Sequence, residues 1–324
     1  MRRIVTVTLN PAIDKTIRLP HFAPGRVNRV TETRSDPGGK GINVARVLKQ
    51  WGENPLALGW VGGHRGQSLL ERLDTRGIDH QFAKVKGETR TNLKMVEEDT
   101  GRVTDLNEPG FRVFDEDVEH LLEIYEAALR EAEVIVLAGS LPPGAPSDFY
   151  GTLINRARKQ NVKVFLDADG SPLKEGIARI PYAVKPNLAE LERCLGRRLP
   201  QDADRVAAGK ELLDRGIHLV ALSQGAEGAW FFTEKEAIRA IPPDVSVSNP
   251  VGAGDTMVAA LAVGACRGWS LNETIRFSIA AGSVTASKEG TQFSTDDEAR
   301  SLADHVNLSS RTLEQDHESK ERLS

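Results

Sequence analysis

Short apolar runs recur along the chain with room for a helix between them. Ile4-Val5-Thr6-Val7-Thr8, Leu56-Ala57-Leu58-Gly59-Trp60-Val61, Val134-Ile135-Val136-Leu137-Ala138 and Val162-Lys163-Val164-Phe165-Leu166-Asp167 read as strands. His218 to Leu222 and Ala229 to Phe232 add two more. Runs without strict alternation belong to strands covered on both faces. Helices are expected near 67–75, 116–131 and 148–160, and the alternation predicts an α/β core of three layers, α/β/α, around a mostly parallel sheet. Ligands gather outside the carboxyl ends of such strands, where Asp14, Gly139, Ser140 and Asp167 fall.

Two stretches alternate polar and apolar residues instead. Residues 15–36 contain Thr16-Ile17-Arg18-Leu19 and Val27-Asn28-Arg29-Val30-Thr31, and residues 89–107 read as a hairpin turning through Glu98-Asp99-Thr100-Gly101. Together they predict a discontinuous β-lid on a single domain spanning 1–306, placed to exclude water from a cleft. From Asn307 to Ser324 the chain is polar and charged, and a frayed tail is expected.

One run is apolar on every side. Met257 to Cys266 carries no charge and predicts a buried helix. Asn249-Pro250-Val251-Gly252-Ala253-Gly254-Asp255-Thr256 leads into it, with proline and glycines preventing an earlier start. The first turn of a helix has N–H groups without partners and partial positive charge, and glycines let an anion approach them. A carboxylate beside such an anion site suits proton removal from an attacking hydroxyl. The arrangement points to phosphoryl transfer to an alcohol, with Asp255 as base and the amides of Gly252, Ala253 and Gly254 stabilising the moving group. Taken alone, a Gly-x-Gly-Asp is more often only a helix cap. Met257 at the third glycine position excludes a dinucleotide fingerprint, and Arg34 and Gly41 exclude a P-loop around Gly39-Lys40.

Other residues supply the rest of such a site. Asp14 follows the first strand and suits sugar hydroxyls or, equally, an Asx turn. Gly38-Gly39-Lys40-Gly41 offers open backbone and a lysine able to reach a phosphate, although most lysines are simply solvated. Asn43 follows in the first turn of a helix. Asn187 and Glu190 share a helical face; their spacing fits a capping pair and equally a pair orienting waters around hydrated Mg2+. Ser223, Gly225 and Gly228 form a turn that is either a plain hairpin or a track for nucleotide phosphates. Ala281 and Gly282 leave room for an adenine.

Composition narrows the partners. The 324 residues carry a formal net charge of −4, with pI about 6.0, which argues against nucleic acid. No apolar run approaches the ~18 residues of a membrane span. The N-terminus runs straight into a strand rather than a signal-peptide core. Cys194 and Cys266 are the two cysteines. Cys266 falls in the apolar run as a packed thiol, and a reducing cytoplasm is the expected compartment.

Gly38-Gly39-Lys40-Gly41-Ile42-Asn43-Val44-Ala45 and Asn249 to Thr256, in that order and separation, resemble the two signatures of ribokinase-like (PfkB-type) carbohydrate kinases, a likeness running from about residue 3 to 305. Thr-Leu-Asn-Pro-Ala-Ile-Asp (8–14), Thr-Arg-Thr-Asn (89–92), Leu-Asn-Glu-Pro-Gly (106–110) and Val-Lys-Pro-Asn (184–187) look like the phosphosugar branch. That branch comprises 1-phosphofructokinases, tagatose-6-phosphate kinases and the minor 6-phosphofructokinases. The first of these is most similar through Pro37–Asn43 and Ala57–Gly63. The resemblance implies ATP and Mg2+ as cofactors and phosphorylation of fructose 1-phosphate at C6, with the other two phosphosugars or a non-catalytic sensor as alternatives. It implies that Asp14, Gly39 and Asn43 hold sugar hydroxyls. Arg90, with Lys40 or Arg29, would hold the phosphate already on the sugar, with Asn92 and Ser140 close by. Lys185, Asn187 and Glu190 would face ATP phosphates and metal, Ser223 to Gly228 would border the nucleotide, and a homodimer would form through the lid.

Overall fold

Strand β1 (Arg3–Thr8) lies inside the sheet because both of its faces are apolar: Val5 and Val7 pack into one core, Ile4 into the other. The computed structural model describes residues 3–288, 290 and 292–313. Parallel to β1 run β4 (Leu56–Gly62), β5 (Asp79–Val85), β8 (Ala132–Ala138), β9 (Lys163–Asp167), β10 (Ala183–Val184) and β11 (Leu219–Ser223). Antiparallel strands β12 (Ala229–Phe232), β13 (Glu236–Ile241) and β14 (Asn307–Thr312) complete a ten-stranded sheet of order β14-β13-β12-β11-β10-β9-β8-β1-β4-β5. Alternation along β8 divides Ile135 and Leu137 from Val134, Val136 and Ala138, one set for each face.

On one face pack α1 (Lys40–Gln50), α8 (Ala253–Arg267), α9 (Leu271–Ser287) and α10 (Asp296–Ala303). The other face is covered by α3 (Asp115–Leu129), α4 (Phe149–Lys159), α5 (Gly170–Ile177), α6 (Leu188–Leu195) and α7 (Asp202–Asp214). Helix α2 (Gly63–Thr75) packs with α1 through Ile42, Leu69 and Leu73. The three-layer expectation therefore holds. Helix α8 is buried from Asp255 to Gly264, and each large aliphatic side chain there adds roughly 1.5–3 kcal/mol of burial. Cys266, past that stretch, is half-buried and packs against the rim of that core.

The lid is a separate four-stranded sheet of order β3-β2-β6-β7, made of β2 (Ala12–Leu19), β3 (Glu32–Gly38), β6 (Arg90–Glu97) and β7 (Val103–Asn107). The 102–106 return strand falls where the turn signal predicts it. Val27 to Thr31, however, is loop rather than strand. Asn28 takes the local backbone for itself: its Oδ1 accepts from Ala23 N at 2.8 Å, and its Nδ2 donates to Ala23 O and Arg26 O. A second correction concerns the tail. Asn307 to Thr312 is not frayed; it forms β14, in register from Ile241↔Asn307 to Glu236↔Thr312. Polar residues suit this outer strand, which has water on its free edge. Residues 314–324 lie outside the described residues.

Candidate active site

The carboxyl ends of the parallel strands, the base of the lid and the tip of α8 enclose a cleft of about 1300 Å³. Gly252 starts α8 with φ 84°, a backbone state open to glycine at little cost. Ala253 N donates back to Pro250 O at 3.2 Å. The anion-facing set expected there therefore narrows to Gly252 and Gly254, the latter in the first turn, where amides have no intrahelical partner. Asp255 follows, 7% exposed. Asn43 Nδ2, from the first turn of α1, donates to Asp255 Oδ2 at 2.8 Å. Burial, reinforced by the charge of Asp167, pushes Asp255 up to about 6, against the opposing pull of Lys40, Asn43 and Lys185.

Asp167 ends β9 and is buried between two lysines. Its Oδ1 accepts from Lys40 Nζ at 2.9 Å, and its Oδ2 lies 3.5 Å from Lys185 Nζ. Burial alone would raise this carboxyl, but Lys185 and Lys40 hold it below the usual carboxylate range. Lys40 is also 3.7 Å from Glu190 Oε1. Its own desolvation is outweighed by Asp167, Glu190 and Asp255, which raise it above an ordinary lysine. This orientation corrects the expectation that Lys40 joins Arg90 on the sugar phosphate: its ammonium is drawn to Asp167 and Glu190 instead. Sequence reasoning located Asp167 at a strand end but gave it no role. The available signal was an aspartate closing an otherwise apolar strand.

Asn187 and Glu190 form a reciprocal capping box at the start of α6. Asn187 N donates to Glu190 Oε2 at 2.8 Å, and Glu190 N to Asn187 Oδ1 at 2.9 Å. The structural reading of this pair therefore holds, while both residues also line the cleft. Among the described residues no cluster of three or more His, Cys, Asp or Glu suits direct metal ligation. With two of the pair's oxygens held in the cap, Glu190 Oε1 is the oxygen outside it, an arrangement that fits a hydrated cation held through water.

At the lid end, register pairs Asp14 with Asn92, and Asn92 Nδ2 donates to Asp14 Oδ1 at 2.9 Å. A Cβ at Gly38 would stand 2.1 Å from Asp14 Oδ2, so only glycine leaves that carboxylate its place. Burial raises Asp14; Asn92, Arg90, Lys94 and Arg46 oppose it. Arg90 donates to Glu108 O at 3.1 Å and Asn10 O at 3.0 Å, with Ser140 Oγ at 3.5 Å. Asn10, Thr8 and Asn107 line the cleft as well and were not foreseen. The signals for them are polar side chains at strand ends and their place in the 8–14 and 106–110 stretches. Ser223, Gly225, Gly228, Gly282 and Gly39 line the cleft as well, whereas Ala281 is fully buried and does not. Arg29 is exposed and does not line the cleft.

A buried carboxylate at a helix tip, a lysine pair beside it and polar groups at both ends of a deep cleft define a small-molecule phosphotransferase with an alcohol acceptor. The description "pfkB family carbohydrate kinase" matches residues 7–298. The chain is 42% identical over 262 residues to a 1-phosphofructokinase of Xanthomonas campestris pv. campestris, covering 80% of this chain and 82% of that one. It is 34% identical over 295 residues to a tagatose-6-phosphate kinase of Staphylococcus epidermidis, covering 89% and 93%. The structure of Escherichia coli phosphofructokinase-2 superposes with a TM-score of 0.88 at 32% identity, over 94% of this chain and 99% of that one. This chain belongs to the pfkB family of carbohydrate kinases.

Proposed function

We propose that the protein transfers the γ-phosphoryl group of ATP to the C6 hydroxyl of fructose 1-phosphate, yielding fructose 1,6-bisphosphate and ADP. The observation that carries this reading is Asp255, buried at the tip of α8 and held by Asn43, between the Asp14–Arg90 end of the cleft and the Lys185–Ser223 end. Asp14, Asn43 and Gly39 hold sugar hydroxyls. Arg90, with Asn92 and Ser140 beside it, receives the phosphate already present. Asp255 accepts the C6 hydroxyl proton as that oxygen bonds to the γ-phosphorus and the bond to ADP breaks. Gly252 and Gly254 offer amides to the moving group. Lys40 and Lys185, already gathered on Asp167, add positive charge there. Ser223, Gly225, Gly228 and Gly282 border the nucleotide. Mg2+, bound with ATP, would neutralise phosphate charge, with Asn187 and Glu190 orienting its waters.

The identity of the sugar rests on the 1-phosphofructokinase relatives and on a guanidinium anchor. Tagatose 6-phosphate is the second reading, supported by the similarity to a kinase of that name. Exposed Val27, Val30, Val103 and Leu106 leave apolar side chains on the lid, which supports pairing with a second copy. A cytoplasmic location fits free cysteines. The test is ADP release across fructose 1-phosphate, tagatose 6-phosphate, fructose 6-phosphate and free sugars. Fructose 1-phosphate should have the highest kcat/KM; a free sugar turned over as well would reject the phosphate anchor.

A further inference from the structure

A second cavity, of about 430 Å³, shares none of its described lining residues with the cleft. Its size lies within the range of small-ligand sites. Five of the described residues lining it are cationic, namely Arg34, Arg46, Lys49, Arg76 and Lys288, and none is acidic. They converge from β3, α1 and the ends of α2 and α9, so this is not one charged face of a single helix. Asp36 lies buried beside them, 2.7 Å from Arg34 and 4.0 Å from Arg76, and Glu298 meets Lys288 at 2.7 Å.

Arg46 connects the cavity with the active site. Its guanidinium lies 4.8 Å from the Phe293 ring centroid, and Nη1 donates to Pro37 O at 3.2 Å and Asn43 Oδ1 at 3.4 Å. The same Asn43 amide donates from its nitrogen to Asp255. Burial pushes Arg46 down to about 10, with Arg76 and Arg34 adding to the effect against Asp36. A bound anion would reverse that penalty.

We propose that this cavity binds a small anion carrying two or more phosphoryl groups, and that Arg46 passes its occupancy to Asn43 and so lowers turnover. Guanidinium forks match phosphoryl oxygens in geometry as well as charge. Asp36 and Glu298 balance part of this charge, one phosphoryl group carries about −2, and the cavity of about 430 Å³ has room for a second. An anion that draws Arg46 away from Asn43 weakens the hold on Asp255.

The test uses inorganic pyrophosphate as probe, titrated calorimetrically into the full chain with the cleft filled by a non-hydrolysable ATP analogue and phosphosugar, at constant free Mg2+. Binding is expected in the native protein and at least tenfold weaker in the Lys49→Ala/Arg76→Ala double variant. Lys288→Ala, on another element, should weaken it too, which guards against misfolding of the double variant. Absence of binding, or equal affinity in all three proteins, overturns the site. In assays, pyrophosphate should lower kcat without raising either KM, and the double variant should resist it. Binding with unchanged kcat overturns the Arg46 link. ATP and a sugar bisphosphate, each competed against pyrophosphate, distinguish a nucleotide from a sugar source. Calorimetry reads this site whether or not the sugar assignment stands.

Discussion

The two ends of the cleft handle their polar groups differently. At the end formed by α8 and β9, Lys40 and Lys185 share Asp167, while Asn43 engages Asp255. At the lid end, Asn10 Oδ1, Asn92 Oδ1 and Arg90 Nε are buried without hydrogen-bond partners among the described residues. Such atoms cost roughly 1–3 kcal/mol each. The first end is thus organised before ligand arrives, as electrostatic stabilisation of a transition state requires. The second leaves polar atoms unpaired within the fold. Damage at the first end should appear mainly in kcat, and damage at the second mainly in KM.

Asp255→Asn breaks that comparison most sharply if it fails. It removes the proton acceptor and keeps the shape, so kcat should fall by about 10²–10⁴ while ATP binding, measured by titration, is retained. Full turnover in this variant would reject Asp255 as base. Arg90→Ala comes next. Loss of charge-assisted hydrogen bonds worth roughly 1.5–3 kcal/mol should raise KM for the phosphosugar about 10–100-fold, with kcat changed far less. An unchanged KM would mean that the sugar phosphate lies elsewhere. The pH dependence is a smaller effect over the usual working range. Asp255 must be ionised to accept a proton, and burial pushes its carboxyl up to about 6. Below that value kcat/KM should fall about tenfold per pH unit, and above it the profile should level. A profile still rising steeply between pH 7 and 8 would assign the limb to another group.

Sequence made the sheet and the glycine-rich tip of α8 legible because both depend on local patterns: apolar runs without alternation, and glycines before a chargeless helix. It did less well where long-range pairing decides. The β2–β6 contact is parallel between strands about 78 residues apart, as in Asp14↔Asn92, and no turn announces it. Asp167 acquires its partners Lys40 and Lys185 only when three separate elements meet, and that meeting redirected Lys40 from its expected place beside Arg90. Asn307 to Thr312 read as a tail because polar composition says nothing about an open sheet edge waiting at β13. Val27 to Thr31 failed in the opposite direction, since strand-like alternation lost to the backbone bonds of Asn28.

The smallest expected effect concerns stability. A carboxyl raised from 3.8 to about 6 in the folded protein binds its proton more tightly folded than unfolded. Above pH 6 the group is ionised in both states, and its charge destabilises the fold by at most about 3 kcal/mol, taking ~1.4 kcal/mol per pH unit. Below about pH 4 it is protonated in both states and the cost vanishes. Asp255→Asn keeps an oxygen for Asn43 but removes the charge that faces Asp167. The variant should therefore be more stable than the native protein at pH 8, by about 1–3 kcal/mol in denaturant unfolding. That margin should shrink as pH falls from 6 towards 4. An equal or lower stability at pH 8 would show that Lys40 and Lys185 fully compensate Asp255. The phosphoryl end would then be relaxed, not held at a cost for the sake of its chemistry.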